Sequence, residues 1–337
     1  MPVTELQILV AVELGYEGLH ESLKGIDPSD TGAYTWVLEK LYNHERTSED
    51  GQWVEFSDDY HEDDPTPLQG CCLEVPSPTL DFYPNSEWIE GIKDHWKLLL
   101  KFGIAHINHN CATHVHIWPK GKKDWSLDQL KQIAKAVIYF EKAFEVISAP
   151  SRRNHDHTRH NKASNPELKD LEFAECCERI RKCTNNLELI STMQPGDSKA
   201  KAPTYAWNFM NTDRCFDEDI DDPEDEPVGT IVPPRLCVKT AGHCLIWVQL
   251  VVSFVQAAAQ YDPEASLEKY EPNVAGLLMF ICKSGSPDEN GKDLLDIVFH
   301  GHLDNEQGVD TDSEMEKVFD ERLKELRRLK PQSSLWA

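Results

Sequence analysis

Between Thr113 and Ala149 the hydrophobic pattern changes period once, and that change fixes the class of fold open to the chain. Thr113 to Trp118 (THVHIW) alternates within a short apolar run, the period of a β-strand. Ser126 then opens a helix. Gln129 completes a capping box, and Leu127, Leu130, Ile133, Ala134, Val137, Glu141 and Phe144 keep helical spacing as far as Ala149–Pro150. All of that stripe is apolar except Glu141. A strand followed this closely by a long helix belongs to a fold in which helices pack on a sheet.

The rest of the chain repeats the theme. Leu6–Leu14 and the CCLEVPSP segment read as strands, the second ended by prolines that cannot donate to a ladder. Trp53–Phe56 is a shorter strand candidate, and Gly32–Tyr42 looks helical. Ser86–Phe102 carries Trp88, Ile89, Ile92, Trp96, Leu99 and Leu100 at helical spacing. Ile104–Asn108 and Thr113–Trp118 form a hairpin turning around Asn110. A helix is expected from Pro166, a favoured first helical residue. Tyr205–Asn211 and Thr230–Val238 are strand candidates. They flank the acidic run 216–227, read as a solvated loop. Thr240–Gln260 is a long apolar helix, and 313–329 a closing amphipathic helix with a Ser313/Glu316 capping box. The expectation is one α+β domain over residues 1–337.

Composition narrows the partners. The 337 residues carry 59 acidic and 34 basic side chains, a net charge of −25. Such a charge argues against gripping nucleic-acid phosphates or an anionic membrane, while leaving room for a local basic pocket. The window Cys244–Val255 is broken by Gln249 and Ser253 and is short for a bilayer span. The first residues lack a basic start and a small-residue cleavage site. Ten scattered cysteines without CxxC spacing read as reduced thiols, so a cytoplasmic setting is expected.

Four sets of side chains can carry chemistry. His114 and His116 share one face of their strand, as a metal or phosphate pair or as hydrogen-bonding residues on a half-exposed face. Glu74 lies between Leu73 and Val75, either facing water or paired with a hard cation. Arg152 and Arg153 follow a helix end among His155, His157, Arg159 and His160, as an anion site or as charges complementing the helix dipole. Glu5 and Glu13 offer carboxylates on the first strand. Asp58 and Asp59 read as a turn.

In order, TELQILVA, WVEFSDDY, CCLEVPSPTL, NCATHVHIWP, AKAVIYFEKAFEVISAPSRRN, YAWNFMN and GTIVPPRLCVKTAGHCLIWVQLVVSFVQAA resemble the fungal amidoligases. These are members of the glutamine-synthetase-like carboxylate–amine ligase superfamily. The resemblance covers nearly the whole chain and is most specific where NCATHVHIWP is followed by YFEKAFEVISAPSRRN. It implies a curved antiparallel sheet backed by helices, a glutamine-synthetase-like catalytic domain. It also implies ATP and magnesium as cofactors, and amide formation through an acyl phosphate. Carried over by position, Glu5, Glu74 and His114 are the implied metal ligands. His114, His116 and Arg153 are the implied nucleotide contacts, and Arg152, Arg153 and Arg235 the implied catalytic residues. The implied substrates are a small molecule, amino acid or peptide with a carboxylate, and an amine.

The chain departs from that pattern at three places. Gln7 stands where the first strand has a second carboxylate. TIVPPR replaces Thr-Ile-Glu-Phe-Arg, so Val232, Pro233 and Pro234 interrupt the late strand. Ala112 replaces the glycine before the histidines. These departures leave two other readings, a degenerate relative that binds nucleotide or a partner, and a metal-dependent hydrolase built on His114, His116 and Glu74.

Overall fold

The computed structural model describes residues 5–15, 72–77, 79–82, 87–101, 113–121, 124–153, 158–196, 205–212, 229–234, 240–285, 287–300, 302–303, 308–333 and 335. The proposed elements at 32–42, 53–56 and 104–108, Asp58, Asp59 and the acidic run 216–227 lie outside them.

Strand β1 (Leu6–Gly15) is the centre of an antiparallel sheet. On one side it pairs with β4 (Thr113–Pro119), Ile8 opposite Ile117 and Val10 opposite Val115. On the other side it pairs with two strands in succession. β3 (Leu80–Phe82) lies against Leu6–Ile8, and β2 (Cys72–Pro76) against Ala11–Gly15. Past the proline that ends β2, Ser77 closes the ladder. Its N–H donates to the Val10 carbonyl (2.8 Å), and its hydroxyl accepts from the Val10 N–H (3.0 Å).

Beyond β4 the sheet continues through single bridges. Ile117 exchanges two backbone hydrogen bonds with Ile231 (3.1 and 3.0 Å), and Val232 exchanges two with Asn208 (3.0 and 2.8 Å). Arg159 then bridges Tyr205. Neither 205–211 nor 230–234 forms an extended strand, which corrects the sequence expectation. Pro233 and Pro234 have no N–H to donate, so the pairing stops after Val232.

Alternation along β1 sets the layers. Leu6, Ile8 and Val10 are fully buried, with Val115 and Ile117 beside them on the helix side. Helix α1 (Trp88–Lys101) packs Trp88, Ile92 and Trp96 into the same core. Helix α2 (Leu127–Tyr139) has the expected Ser126/Gln129 capping box. The long helix expected to reach Ala149 breaks at Phe140, and α3 (Glu141–Ile147) restarts one residue later. At the break the Phe140 ring is packed between Phe254 and Phe280. The Glu141 carboxylate accepts the backbone N–H groups of Lys162 and Ala163 (2.8 and 3.1 Å).

Pro166 opens a turn and not a helix. Asn165 accepts the Glu167 N–H (2.8 Å) and donates to the carbonyls of Thr192 and Met193, a local arrangement that competes with helix formation. Helix α4 (Phe173–Lys182) starts later, on a Glu172/Glu175 box, and α5 (Asn186–Met193) follows.

Helix α6 (Ala241–Ala259) is capped by Thr240 and buried almost all round, packed against α1, α2, α7 (Val274–Ser284) and α8 (Glu289–Phe299). By length and composition it could cross a membrane, and here its surroundings are protein. Helix α9 (Asp312–Leu329) ends the fold. Its cap is Thr311 with Glu314, two residues before the expected Ser313/Glu316 box.

Candidate functional site

β4 carries the histidine pair on the sheet face opposite the α6 side. His114 stands in register with Ala11, and His116 with Leu9. Neither histidine lies on an open face: His114 is 8% exposed and His116 is half-buried. His116 Nδ1 is 3.3 Å from the Thr230 hydroxyl, tying the histidine strand to the TIVPP segment beside it.

The carboxylates resolve through register. Glu13 is paired with Glu74, one row beyond Ala11 and Pro76, at positions of the same face as His114 and His116. Of the side chains of Glu13 and Glu74 the described geometry says nothing. Glu5 lies at the other end of β1, about 26 Å away at the rise of a strand. Its carboxylate is 61% exposed, 3.6 Å from Lys120 Nζ. The strand therefore does not bring Glu5 together with Glu74 and His114, and Glu13 occupies the position that does.

Gln7 has its own explanation. Its Nε2 donates to Asp81 (2.9 Å), its Oε1 accepts the Trp118 indole N–H (3.2 Å), and Lys120 pairs with Asp81 at 3.0 Å. The hydrogen bond from Gln7, followed by the contact with Lys120, holds the Asp81 carboxyl below the usual carboxylate range. An amide at position 7 is what this row requires, because a carboxylate there would face Asp81.

The arginine turn builds a second feature. Pro150–Arg152 forms a single 3-10 turn after α3. The Arg153 guanidinium donates back to the carbonyls of Val146 (3.0 Å) and Ser148 (3.2 and 3.3 Å), capping the helix end. Burial pushes its pKa down, against the nearby acidic charges of Glu145, Asp310 and Asp312. Asp312, at the start of α9, accepts the Ser151 N–H (2.9 Å) and hydroxyl (2.5 Å), which anchors the turn from the far end of the chain. Arg152 is 8% exposed and lines a cavity of ≈ 30 Å³ with Glu141, Glu145, His160, Trp207 and Pro234. His160 sits between two carboxylates, 3.9 Å from Glu141 and 3.7 Å from Glu145. Burial pushes the Glu141 carboxyl up, partly offset by the backbone N–H groups it accepts. Arg235, one residue beyond Pro234, lies outside the described residues.

Single backbone bridges run from the histidine strand toward the cavity. From β4 the backbone pairing steps to Ile231 and Val232, then to Asn208 and Tyr205, then to Arg159, next to His160. Three strand spacings make about 14 Å between the histidine strand and the segment at the cavity.

A family model described as "Putative amidoligase enzyme" matches residues 27–218, more than half of the chain. The chain belongs to this amidoligase family. No curated protein and no solved structure matches it.

The amidoligase match takes in β2, the histidine strand, the arginine turn and the 205–208 segment. β1, the TIVPP segment and α6 to α9 lie outside it. Besides Arg152 and Arg153, two cavity residues carried a sequence signal. Glu141 interrupts an apolar stripe, and His160 belongs to the basic cluster. Glu145 carried none, since an acidic residue near a helix end is ordinary. Among the described residues no group of three or more His, Cys, Asp or Glu is placed to hold a metal ion.

Proposed function

We propose that this amidoligase is an ATP- and magnesium-dependent carboxylate–amine ligase that forms an amide through an acyl phosphate. The observation that supports it most is the histidine pair on β4 and its link, through the His116–Thr230 contact and single backbone bridges at Ile231, Val232, Asn208 and Tyr205, to Arg159 beside the cavity that Arg152 lines.

A carboxylate is a poor electrophile, because its charge is shared over two oxygens. Transfer of the γ-phosphoryl of ATP to it gives a mixed anhydride and ADP. Attack by an amine then forms the C–N bond, breaks the C–O bond to phosphate and releases a proton. A divalent ion, when bound, neutralises the oxygens of the transferring group. Oxygen donors suit such a hard ion, so Glu13 and Glu74 would hold it, with His114 in the next row. In this reading His116 would donate to a phosphate oxygen. Arg152 supplies fixed positive charge to a carboxylate or phosphate beside the cavity. Arg153 holds the end of α3, and with it the turn that carries Arg152.

The substrates in this reading are small molecules, amino acids or peptides, since a chain of net charge −25 repels polyanions. The reading is tested by phosphate release from ATP with the common amino acids as acid and amine. It predicts ADP formation that requires both partners. ATP hydrolysis indifferent to acid and amine would overturn it.

One observation favours a second reading, a relative that binds nucleotide without turnover. Where the resemblance implies a late-strand carboxylate this chain has Val232 or Pro233, and Val232 is buried and paired with Asn208. Magnesium-dependent ATP binding without product would select this reading.

A further inference from the structure

The arginine turn is gripped from outside itself, and one grip comes from 161 positions away in the chain. Asp312 is the first residue of α9. One of its carboxylate oxygens accepts the Ser151 N–H (2.9 Å) and the other the Ser151 hydroxyl (2.5 Å), so both are engaged by the residue before Arg152. After Arg152, the Thr158 hydroxyl donates to the Arg152 carbonyl (2.6 Å). Gly308 closes a third side, with no room for a side chain against the Val146 carbonyl and the Arg153 guanidinium. The clamp is firm at its own end. Glu314 accepts the N–H groups of Asp310 and Thr311 (3.1 and 3.2 Å), and the helix dipole favours carboxylates in this first turn. The body of α9 is tied down by charge. Arg322 reaches Asp296 (2.6 and 2.8 Å) and Lys330 reaches Asp293 (2.7 and 2.9 Å), both on α8, while Asp320 lies 3.2 Å from His243 on α6.

We propose that Asp312 is a positioning residue for the ligase reaction, which clamps Ser151 and thereby sets the Arg152 guanidinium against the cavity. The use made of Arg152 rests on the ligase reading; the clamp itself does not. A single 3-10 turn has few bonds of its own to hold a direction. Here they are the Arg152 N–H to the Ala149 carbonyl (2.8 Å) and the Arg153 N–H to the Pro150 carbonyl (3.2 Å), and Pro150 has no N–H to add. What grips the turn from outside therefore sets where it points. Two bonds from one carboxylate to one residue fix an orientation that a single bond leaves free to rotate. Ser151 and Arg152 are neighbours in a turn of three residues, so a shift of the Ser151 amide swings Arg152 with it. Arg152 is 8% exposed and lines the cavity, a placement that such a swing would undo.

The test compares the full-length parent with Asp312→Ala and Asp312→Asn. Two readouts need no turnover: amide hydrogen exchange at Ser151, and labelling of Arg152 by a guanidine-specific dicarbonyl reagent, located by mass spectrometry. In Asp312→Ala both should rise by about tenfold or more, the effect of losing hydrogen bonds to a charged group. Labelling of Arg322 and the melting temperature should stay near the parent's. Asp312→Asn keeps an acceptor for the Ser151 N–H and should recover most of the protection. Exchange and Arg152 labelling unchanged in Asp312→Ala would overturn the proposal. So would Arg322 labelling that rises in step, because α9 as a whole would then have detached. In turnover, Asp312→Ala should raise KM for the acid by about tenfold and leave KM for ATP unchanged. An equal rise for ATP, or no change for the acid, would overturn the positioning role. A parent without acid-dependent ADP formation overturns the ligase reading and the use assigned to Arg152, while exchange and labelling still decide the clamp.

Discussion

Gln7 uses both halves of its amide, one on Asp81 and one on Trp118, and so locks three strands at one row. Gln7→Glu removes the donor and sets a carboxylate against Asp81. Unfolding in urea should show a loss of about 1 kcal/mol or more, and an unchanged midpoint would contradict the network. Gly308 gives a sharper case. Its φ is +73°, and an added Cβ would lie 2.5 Å from the Val146 carbonyl oxygen and 2.7 Å from Arg153 Nη2. Gly308→Ala should therefore lower the melting temperature and disturb the arginine turn together, and a neutral effect would mean that the turn yields easily. The sequence could not disclose either role. Gln7 reads as a lost carboxylate until Asp81 is known to face it, and the two lie 74 positions apart. Arg153 is half legible, because charges that complement a helix end form one of the two readings open to it.

At the level of elements, α6 organises the helical side. Phe254 is fully buried and meets the rings of Phe140, Phe144, Trp207 and Phe280. Phe254→Ala should cost about 3–5 kcal/mol in chemical denaturation. A stability loss below about 1 kcal/mol would show that the aromatic cluster collapses onto the gap. The elements most legible in sequence were those with local signals: the Ser126 box, the Thr240–Gln260 run and β1. Three helices (α5, α7, α8) and β3 went unforeseen. Their patterns are short, and β3 has three residues held by pairing with β1. The end of β1 shows the limit most clearly. Glu5 and Glu13 are equal candidates by alternation, and only the pairing of Glu13 with Glu74 separates them.

Across the whole molecule, burial of neutral groups bends the dependence of stability on pH. His302 is 2% exposed, and burial, then the charges of Arg153 and His300, push its pKa below the ordinary 6.5. Its contribution is present above that value. It is lost as pH falls through the window below it, where the unfolded chain takes up the proton first. Burial pushes the Cys244 thiol from 9.0 up to about 12, so its contribution is full below pH 9.0 and is lost as pH rises toward 12. His302→Gln should flatten the acid limb and Cys244→Ala the alkaline one, measured as unfolding midpoints against pH. Limbs unchanged in the variants would assign the curvature to other groups. The central claim is that β1, β2 and β4 together present an ATP–magnesium site. Thermal unfolding of the full chain and of Glu74→Gln, each with ATP and with or without magnesium, tests it most directly. A magnesium-dependent rise in melting temperature that Glu74→Gln abolishes is the predicted result. No response to ATP in either protein, or a response indifferent to magnesium and to Glu74, would contradict it.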